Sequence, residues 1–125
     1  MQFFQFTEEQ EMLRKAVREF VEAEVAPKAA AWDESDTCPM ELFPIMGELG
    51  INGIFVPEEF GGAGMGHTER AICIEEIARH SAGLAIALMT HHLGMAAILD
   101  FGTQEQKAKY LPELCAGTKL GGLAV

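Results

Sequence analysis

The chain has 125 residues, which is enough for one domain that buries about two-thirds of the surface its unfolded chain exposes. Hydrophobic residues make up 49% of the sequence and charged residues 22%, a composition that excludes intrinsic disorder. The formal net charge of -10 at pH 7 opposes binding to nucleic acid or to an anionic membrane. A phosphate-bearing ligand would need local positive groups, or protein outside this chain.

The cysteines and the N-terminus indicate the compartment. Cys38, Cys73 and Cys115 are odd in number and widely spaced without a CxxC, which argues against a disulfide framework or a zinc site. The first residues, MQFFQFTEEQ, lack the basic start and apolar core of a secretory signal. We therefore expect a cytoplasmic protein without a metal site.

The first helix begins at a capping box formed by Thr7 and Gln10. Apolar residues then recur at helical spacing, which predicts one buried face: Leu13, Ala16, Val17, Phe20 and Val21. The charged residues on the other face predict a solvated surface held by the pairs Glu11 with Lys15 and Arg18 with Glu22. Pro27 is expected to start a short second helix that runs through Trp32.

Proline and glycine residues predict where helices start, kink and end in the middle of the chain. Pro39 predicts another helix start, Pro44 a kink and Gly50 the C-terminal cap. Residues 51–56 form a short apolar run that we expect to be extended. The following GGAGMG could cradle phosphate, but GxGxxG spacing would require glycine where His67 stands, so we favour a structural loop.

Two helices are predicted next. Thr68 or a neighbour caps a helix that ends near Arg79, and Ser81 caps a helix that is apolar nearly all round. Residues 82–99 are long enough to cross a membrane, but Thr90, His91 and His92 at the centre favour a buried protein helix. Gly94 is expected to bend this helix.

Two pairs of adjacent polar residues in these helices do not form a metal site or an acid–base pair by themselves. His91 and His92 project about 100° apart on a helix and cannot chelate one ion, so we expect hydrogen-bonded interior or interface histidines. Glu75 and Glu76 also diverge, and a surface position is expected for both.

The last helix begins at a second capping box, Thr103 with Gln106. Pro112 is expected to interrupt it and Gly117 to turn the chain. Residues 120–125 are apolar without a hairpin partner, which predicts the first strand of another domain. The predicted fold is therefore all-α, an orthogonal or up-down bundle of about five to six helices with a terminal strand that belongs to a further domain.

Five segments in order resemble the acyl-CoA dehydrogenase family: FTEEQEMLRKAVREFVEAEVAPKAAAWDES, ELGINGIFVPEEFGGAGM, EEIAR, HHLG and FGTQEQKAKYLPELCAGTKLGGLAV. The resemblance implies an N-terminal helical domain over residues 1–117 and the start of a middle β-domain over 118–125. It also implies an FAD-dependent enzyme that desaturates an acyl-CoA thioester between Cα and Cβ. The family's glutamate base lies in a C-terminal domain, so no catalytic residue is assigned here.

The resemblance further implies partners and sites. It implies an electron-transfer flavoprotein or a similar acceptor, a homo-oligomer (tetramer or dimer), and an isolated chain that is inactive and does not bind FAD. Ala85, Met89 and Leu93 would line the acyl pocket, with His92 nearby and Val125 against the flavin. A plain core role for these residues remains an alternative. In the family that the chain resembles, members acting on dicarboxylic acyl groups carry an arginine in this helix. This chain has Leu84, Ile86 and Leu88 there, so the resemblance implies an uncharged acyl terminus.

Two other functions remain open at this point. One is an acyl-CoA oxidase relative, which would differ in oxygen access to the flavin. The other is a non-catalytic helical interaction module that keeps the fold without the reaction.

Overall fold

A computed structural model describes residues 4–125. Within that range the fold is all-α, as predicted, and contains no β-strand. Six α-helices follow one another: α1 Glu8–Phe20, α2 Ala29–Glu34, α3 Leu42–Glu48, α4 His67–Ala78, α5 Ala82–Phe101 and α6 Gln104–Ala116. A π-helical turn, Val21–Val25, extends α1, and a 3-10 turn, Glu58–Phe60, precedes α4.

The capping box at α1 is confirmed. Thr7 Oγ1 accepts from the Gln10 backbone N–H at 3.2 Å, and Gln10 Oε1 accepts from the Thr7 N–H at 3.0 Å. The predicted inner face is correct at its C-terminal half, where Val17 and Phe20 are buried. The predicted ion pairs are wrong, because Lys15 lies near Glu19 and Arg18 crosses to another helix.

Arg18 donates hydrogen bonds to the carboxylate of Glu76 on α4. The expectation that this glutamate lies at the surface is wrong. Its side chain is only 4% exposed, whereas Glu75 is exposed as predicted. Arg18 Nη2 lies 2.8 Å from Oε1 and Arg18 Nε 3.0 Å from Oε2, while Arg79 Nη1 lies 3.1 Å from Oε2. A buried carboxylate is tolerated here because two arginines hydrogen-bond to it. These bonds tie α1 to α4.

The two prolines predicted to disturb helices do not break them. Helix α3 begins at Leu42, later than expected from Pro39, so Pro44 lies in the first turn. Backbone N–H groups in a first turn have no intrahelical acceptor, so the N–H that proline lacks costs no helical hydrogen bond. Helix α6 continues through Pro112 to Ala116, because Leu111, Leu114 and Cys115 hold the same helix in the core. Glycine termination is confirmed by positive φ at Gly50 and Gly117, 76° and 75°.

The apolar run after α3 is not extended, contrary to expectation. Residues 51–56 form consecutive turns that bury Ile51, Ile54 and Val56. The turns persist because backbone groups pair locally, with Val56 N–H donating to the Gly53 carbonyl at 3.0 Å. A strand would leave those groups without a neighbouring chain.

Helix α5 contributes to two buried clusters. The larger cluster contains residues of α1, α3, α4 and the N-terminal half of α5, including Leu84, Ala85 and Leu88. The smaller cluster joins Met95 of α5 to residues of α6 and the preceding turns: Val56, Phe60, Leu111, Leu114 and Cys115. Among the described residues α5 alone is long and apolar enough to cross a membrane, but its position between these clusters is typical of a core helix.

The C-terminal segment, residues 120–125, forms no strand in this structure, because the described residues offer no neighbouring strand for its backbone groups. It crosses α5 instead, where Gly121 N–H donates to His91 Nδ1 at 3.0 Å. A Cβ on Gly94 would lie 2.9 Å from Gly122 N, so this glycine permits a close crossing and α5 is continuous there. The domain boundary at residue 117 stays a prediction.

Candidate functional site

Helix α5 presents an exposed apolar stripe although most of its other faces are buried. The stripe consists of Ile86, Met89 and Leu93, whose exposed fractions are 62%, 42% and 47%. Spacings of three and four residues place them on one side of the helix. An exposed apolar stripe on a core helix is a candidate surface for contact with a ligand or with more protein.

The predicted pocket residues divide between this stripe and its border. Met89 and Leu93 lie on the stripe, as the i, i+4 spacing requires, and both face outward. Ala85 is 3% exposed and packs in the larger cluster. His92 is completely buried. The structure therefore brings Met89 and Leu93 together and leaves Ala85 and His92 beneath them, and their role in substrate binding stays a prediction.

Both ring nitrogens of His92 are occupied by protein groups. Nδ1 accepts from Arg70 Nε at 3.1 Å, and Nε2 lies 3.1 Å from the Ile51 carbonyl oxygen, to which it donates. Because a guanidinium can only donate, this imidazole is the neutral Nε2–H tautomer. Burial, assisted by the charge of Arg70, lowers the pKa of His92 to about 4.

Arg70 is a residue of this site that sequence analysis missed. Its guanidinium carbon lies 5.3 Å from the centre of the Phe55 ring, and Phe55 meets His92 edge-on at 5.2 Å. Burial lowers the pKa of Arg70. No local signal could reveal this contact, because Arg70 and His92 are 22 positions apart and lie on different helices.

His91 performs a second, separate structural task. Its Nε2 donates to the Leu114 carbonyl oxygen at 2.9 Å, while Nδ1 accepts from Gly121. Burial lowers the pKa of His91 as well. The prediction of two hydrogen-bonded interior histidines is therefore confirmed, and neither imidazole has a free nitrogen for a metal ion.

The glycine-rich loop is structural, as the sequence favoured. Gly61 and Gly64 adopt positive φ, 89° and 66°, and a Cβ on Gly62 would collide with the Val56 carbonyl. Backbone N–H groups of this loop bond to carbonyls of the preceding turns, including Gly64 N–H to the Val56 oxygen at 2.9 Å. These donors are consequently not available to cradle phosphate.

The segment that ends at Val125 was predicted to contact flavin. Val125 is fully exposed, and Leu123 is 51% exposed. Neither side chain is buried by the described residues, and the contact of Val125 with flavin stays a prediction.

A groove of about 650 Å³ lies next to the N-terminus of α5. Trp32, Cys38 and Ile86 contribute to its walls, and acidic residues Asp33 and Asp36 lie among them. Partial desolvation raises the pKa of the exposed Cys38 thiol, which opposes a nucleophilic role. None of the predicted pocket residues lines this groove.

Comparison with known proteins now gives these features a context. Residues 7–118 match the family model described as acyl-CoA dehydrogenase, N-terminal domain. An acyl-CoA dehydrogenase of Bacillus subtilis (strain 168) is 43% identical over 95% of this chain and 32% of its own length. The chain therefore spans about a third of the length of this curated relative.

Solved structures agree in fold. A glutaryl-coenzyme A dehydrogenase in complex with glutaryl-CoA is 40% identical, with a TM-score of 0.90 over 96% of this chain and 31% of that chain. A glutaryl-CoA dehydrogenase from Mycobacterium smegmatis in complex with FADH2 is 28% identical, with a TM-score of 0.86 over 92% of this chain and 30% of that chain. The chain belongs to the acyl-CoA dehydrogenase family and corresponds to its N-terminal helical domain.

Proposed function

We propose that this chain is the N-terminal domain of an FAD-dependent acyl-CoA dehydrogenase, which removes hydrogen from Cα and Cβ of an acyl-CoA thioester. The observation that carries the proposal is the exposed apolar stripe on α5 in a chain that matches the family from residue 7 to 118. An acyl chain is apolar and can cover such a stripe, so the stripe would gain favourable burial when substrate binds.

In this proposal α5 supplies one wall of the acyl pocket. Met89 and Leu93 contact the acyl tail, Ala85 lies at the edge of the contact, and His92 acts from below by holding the helix against the turn at Ile51. A rigid wall matters because a small displacement of a bound substrate slows the reaction strongly. His92 is therefore a positioning residue in this scheme.

The remaining machinery would come from protein outside residues 1–125. FAD supplies the hydride acceptor in this chemistry, and a carboxylate base outside this chain takes the Cα proton. Val125 is proposed to approach the flavin only when that further protein is present. The same larger assembly would provide the contacts of a homo-oligomer and of an electron-transfer flavoprotein. Unpaired Cys38, Cys73 and Cys115 support a reducing cytoplasmic location.

The complete protein that contains this segment provides the test. It is purified, and the loss of its flavin absorbance on addition of straight-chain acyl-CoA thioesters is followed without oxygen. The reduced protein is then divided between an artificial electron acceptor and oxygen, and the recovery of the flavin absorbance is timed. Bleaching of bound flavin by an acyl-CoA supports the dehydrogenase. Rapid flavin reoxidation by oxygen would instead favour the oxidase relative, and absence of flavin and of acyl-CoA binding would favour the interaction module.

A further inference from the structure

Arg70 differs from the other three arginines of this chain. Arg14, Arg18 and Arg79 all approach the carboxylate of Glu76, with separations of 3.8, 2.8 and 3.1 Å. Within residues 4–125, Arg70 forms no ion pair, although 19 acidic residues give the chain a net charge of -10. Its contacts are the neutral ring of His92 and the face of Phe55.

The carboxylate next to Arg70 in sequence is already committed. Glu69 Oε1 accepts from Gln10 Nε2 at 2.7 Å, and Glu69 Oε2 accepts from the Gly66 backbone N–H at 2.9 Å. These bonds direct Glu69 towards α1 and the start of α4. Glu69 therefore leaves the charge of Arg70 uncompensated.

The contacts of Arg70 orient its guanidinium. Nε donates to His92, so the edge of the guanidinium that carries Nε is already in use. The face of the group lies over the Phe55 ring, which fixes its position. The edge formed by Nη1 and Nη2 remains, and its two parallel N–H groups match the paired oxygens of a carboxylate or a phosphate. Arg70 is partly buried, a condition under which an unpaired cation gains most from a counterion.

We propose that the Nη1–Nη2 edge of Arg70 is a binding site for one oxyanion, a carboxylate or phosphate group. His92 precedes Leu93 directly and lies one helical turn after Met89, so the bound anion would lie beside the exposed stripe of α5. The site uses only described residues and does not depend on the proposed dehydrogenase function.

Two sources can supply this chemistry, a small ligand or a carboxylate elsewhere in a longer protein. The 125-residue chain, labelled with nitrogen-15, is titrated with inorganic phosphate and separately with acetate at ionic strength held constant with chloride. Backbone amides of Phe55 and Arg70, together with the Arg70 Nε–H, are followed by NMR. We expect saturable shifts at these groups with at least one of the two anions.

Arg70→Gln removes the charge of the guanidinium together with its paired Nη1 and Nη2 donors, the fork that would hold the oxyanion. Lys109→Gln is the control and removes an equal charge from an exposed site on α6. Affinity should fall at least tenfold in Arg70→Gln, stay within twofold in Lys109→Gln, and be intermediate in Arg70→Lys, which keeps the charge without the fork. Far-UV circular dichroism verifies folding. If Arg70→Gln unfolds, the wild-type titration with the Lys109→Gln and Arg70→Lys variants decides the outcome.

The same titration on the complete protein distinguishes the two sources. A response there assigns the site to a small ligand, whereas silence there with a response in the 125-residue chain assigns the oxyanion to a carboxylate of the protein itself. Absence of any saturable shift in the 125-residue chain, or equal affinity in Arg70→Gln, would overturn the proposal.

Discussion

Arg70 on α4 donates its Nε–H to Nδ1 of the neutral His92 imidazole on α5 across 3.1 Å, and this bond adds to the apolar packing between the two helices. The bond exists only while His92 lacks a proton on Nδ1. The helix contact is therefore sensitive to pH, and the direction of that sensitivity follows from the pKa of His92.

The folded chain should lose stability as pH falls from about 6.5 towards 4. Burial lowers the pKa of His92 from 6.5 to about 4, so in this window the unfolded chain binds a proton that the folded chain excludes. The full effect is on the order of 3 kcal/mol. Urea unfolding at intervals between pH 4 and 7 measures it, and His92→Gln should show a smaller slope. Equal slopes in the two proteins would contradict the assignment.

Glu76→Gln should destabilise the chain by about 2 kcal/mol. The buried carboxylate accepts hydrogen bonds from two arginines, and a neutral amide cannot replace it as the acceptor for both. The arginines are themselves partly exposed, which limits the loss. Chemical denaturation at pH 7 measures the change. Glu75→Gln is the matched control, since Glu75 is exposed and should change stability by less than about 0.5 kcal/mol.

The stabilising effect of the Glu76 carboxylate should also disappear in acid. Arg18 is the main cause that holds the pKa of Glu76 below its ordinary value of 4.5, so its contribution is complete above that value and is lost as pH falls further. The difference in stability between wild type and Glu76→Gln should shrink below pH 4.5. A constant difference down to pH 3 would show that packing, and not charge, determines the effect.

Met89→Ala distinguishes a pocket residue from a core residue. Met89 is 42% exposed, so truncation should cost about 1 kcal/mol or less, whereas Met95→Ala, at a fully buried position on the same helix, should cost about 2–5 kcal/mol. In the complete protein Met89→Ala should shift the preferred acyl length upward, each added methylene being worth about 0.8 kcal/mol. Melting temperatures and an acyl-CoA chain-length series measure both effects. A large stability loss with an unchanged chain-length profile would place Met89 in the core.

Gly94→Ala should displace the C-terminal segment. The new Cβ would lie 2.9 Å from Gly122 N, so the segment must move and the bond from Gly121 to His91 should weaken. Faster amide hydrogen exchange at Gly121 is the expected observation. Gly83→Ala serves as control, because a Cβ there meets nothing within 4 Å and should raise helix stability by up to about 1 kcal/mol without affecting Gly121. Unchanged exchange in Gly94→Ala would contradict the close crossing.

Features that depend on neighbouring residues were predictable from the sequence. The capping boxes at Thr7 and Thr103, the Ser81 cap and the glycine terminations at Gly50 and Gly117 are all confirmed, since each is specified within a few positions. The buried C-terminal half of the α1 face followed from helical spacing, and the core position of α5 followed from its apolar composition. The all-α fold class followed from these elements together.

Features that depend on distant partners were not predictable. Arg18 and Glu76 are 58 positions apart, and no local pattern distinguishes a surface glutamate from one that meets arginines on another helix. The run 51–56 has strand-like composition, but besides the bond within the run its Gly53, Ile54 and Val56 carbonyls accept from N–H groups of residues 63–65 in the glycine loop. Pro112 marks a helix end by local rules, yet the packing of Leu111 and Leu114 maintains the helix.

The position of α5 in both buried clusters has a consequence for how the domain comes apart. Leu88 belongs to one cluster and Met95 to the other, and the two residues are separated by only two turns of a single continuous helix. Phe55 packs against both clusters. If either cluster unfolds, α5 loses packing partners that hold it in place, and the other cluster then loses the residues that α5 contributes to it. Residues 4–125 should accordingly unfold as one cooperative unit, with amide protection highest in the middle of α5.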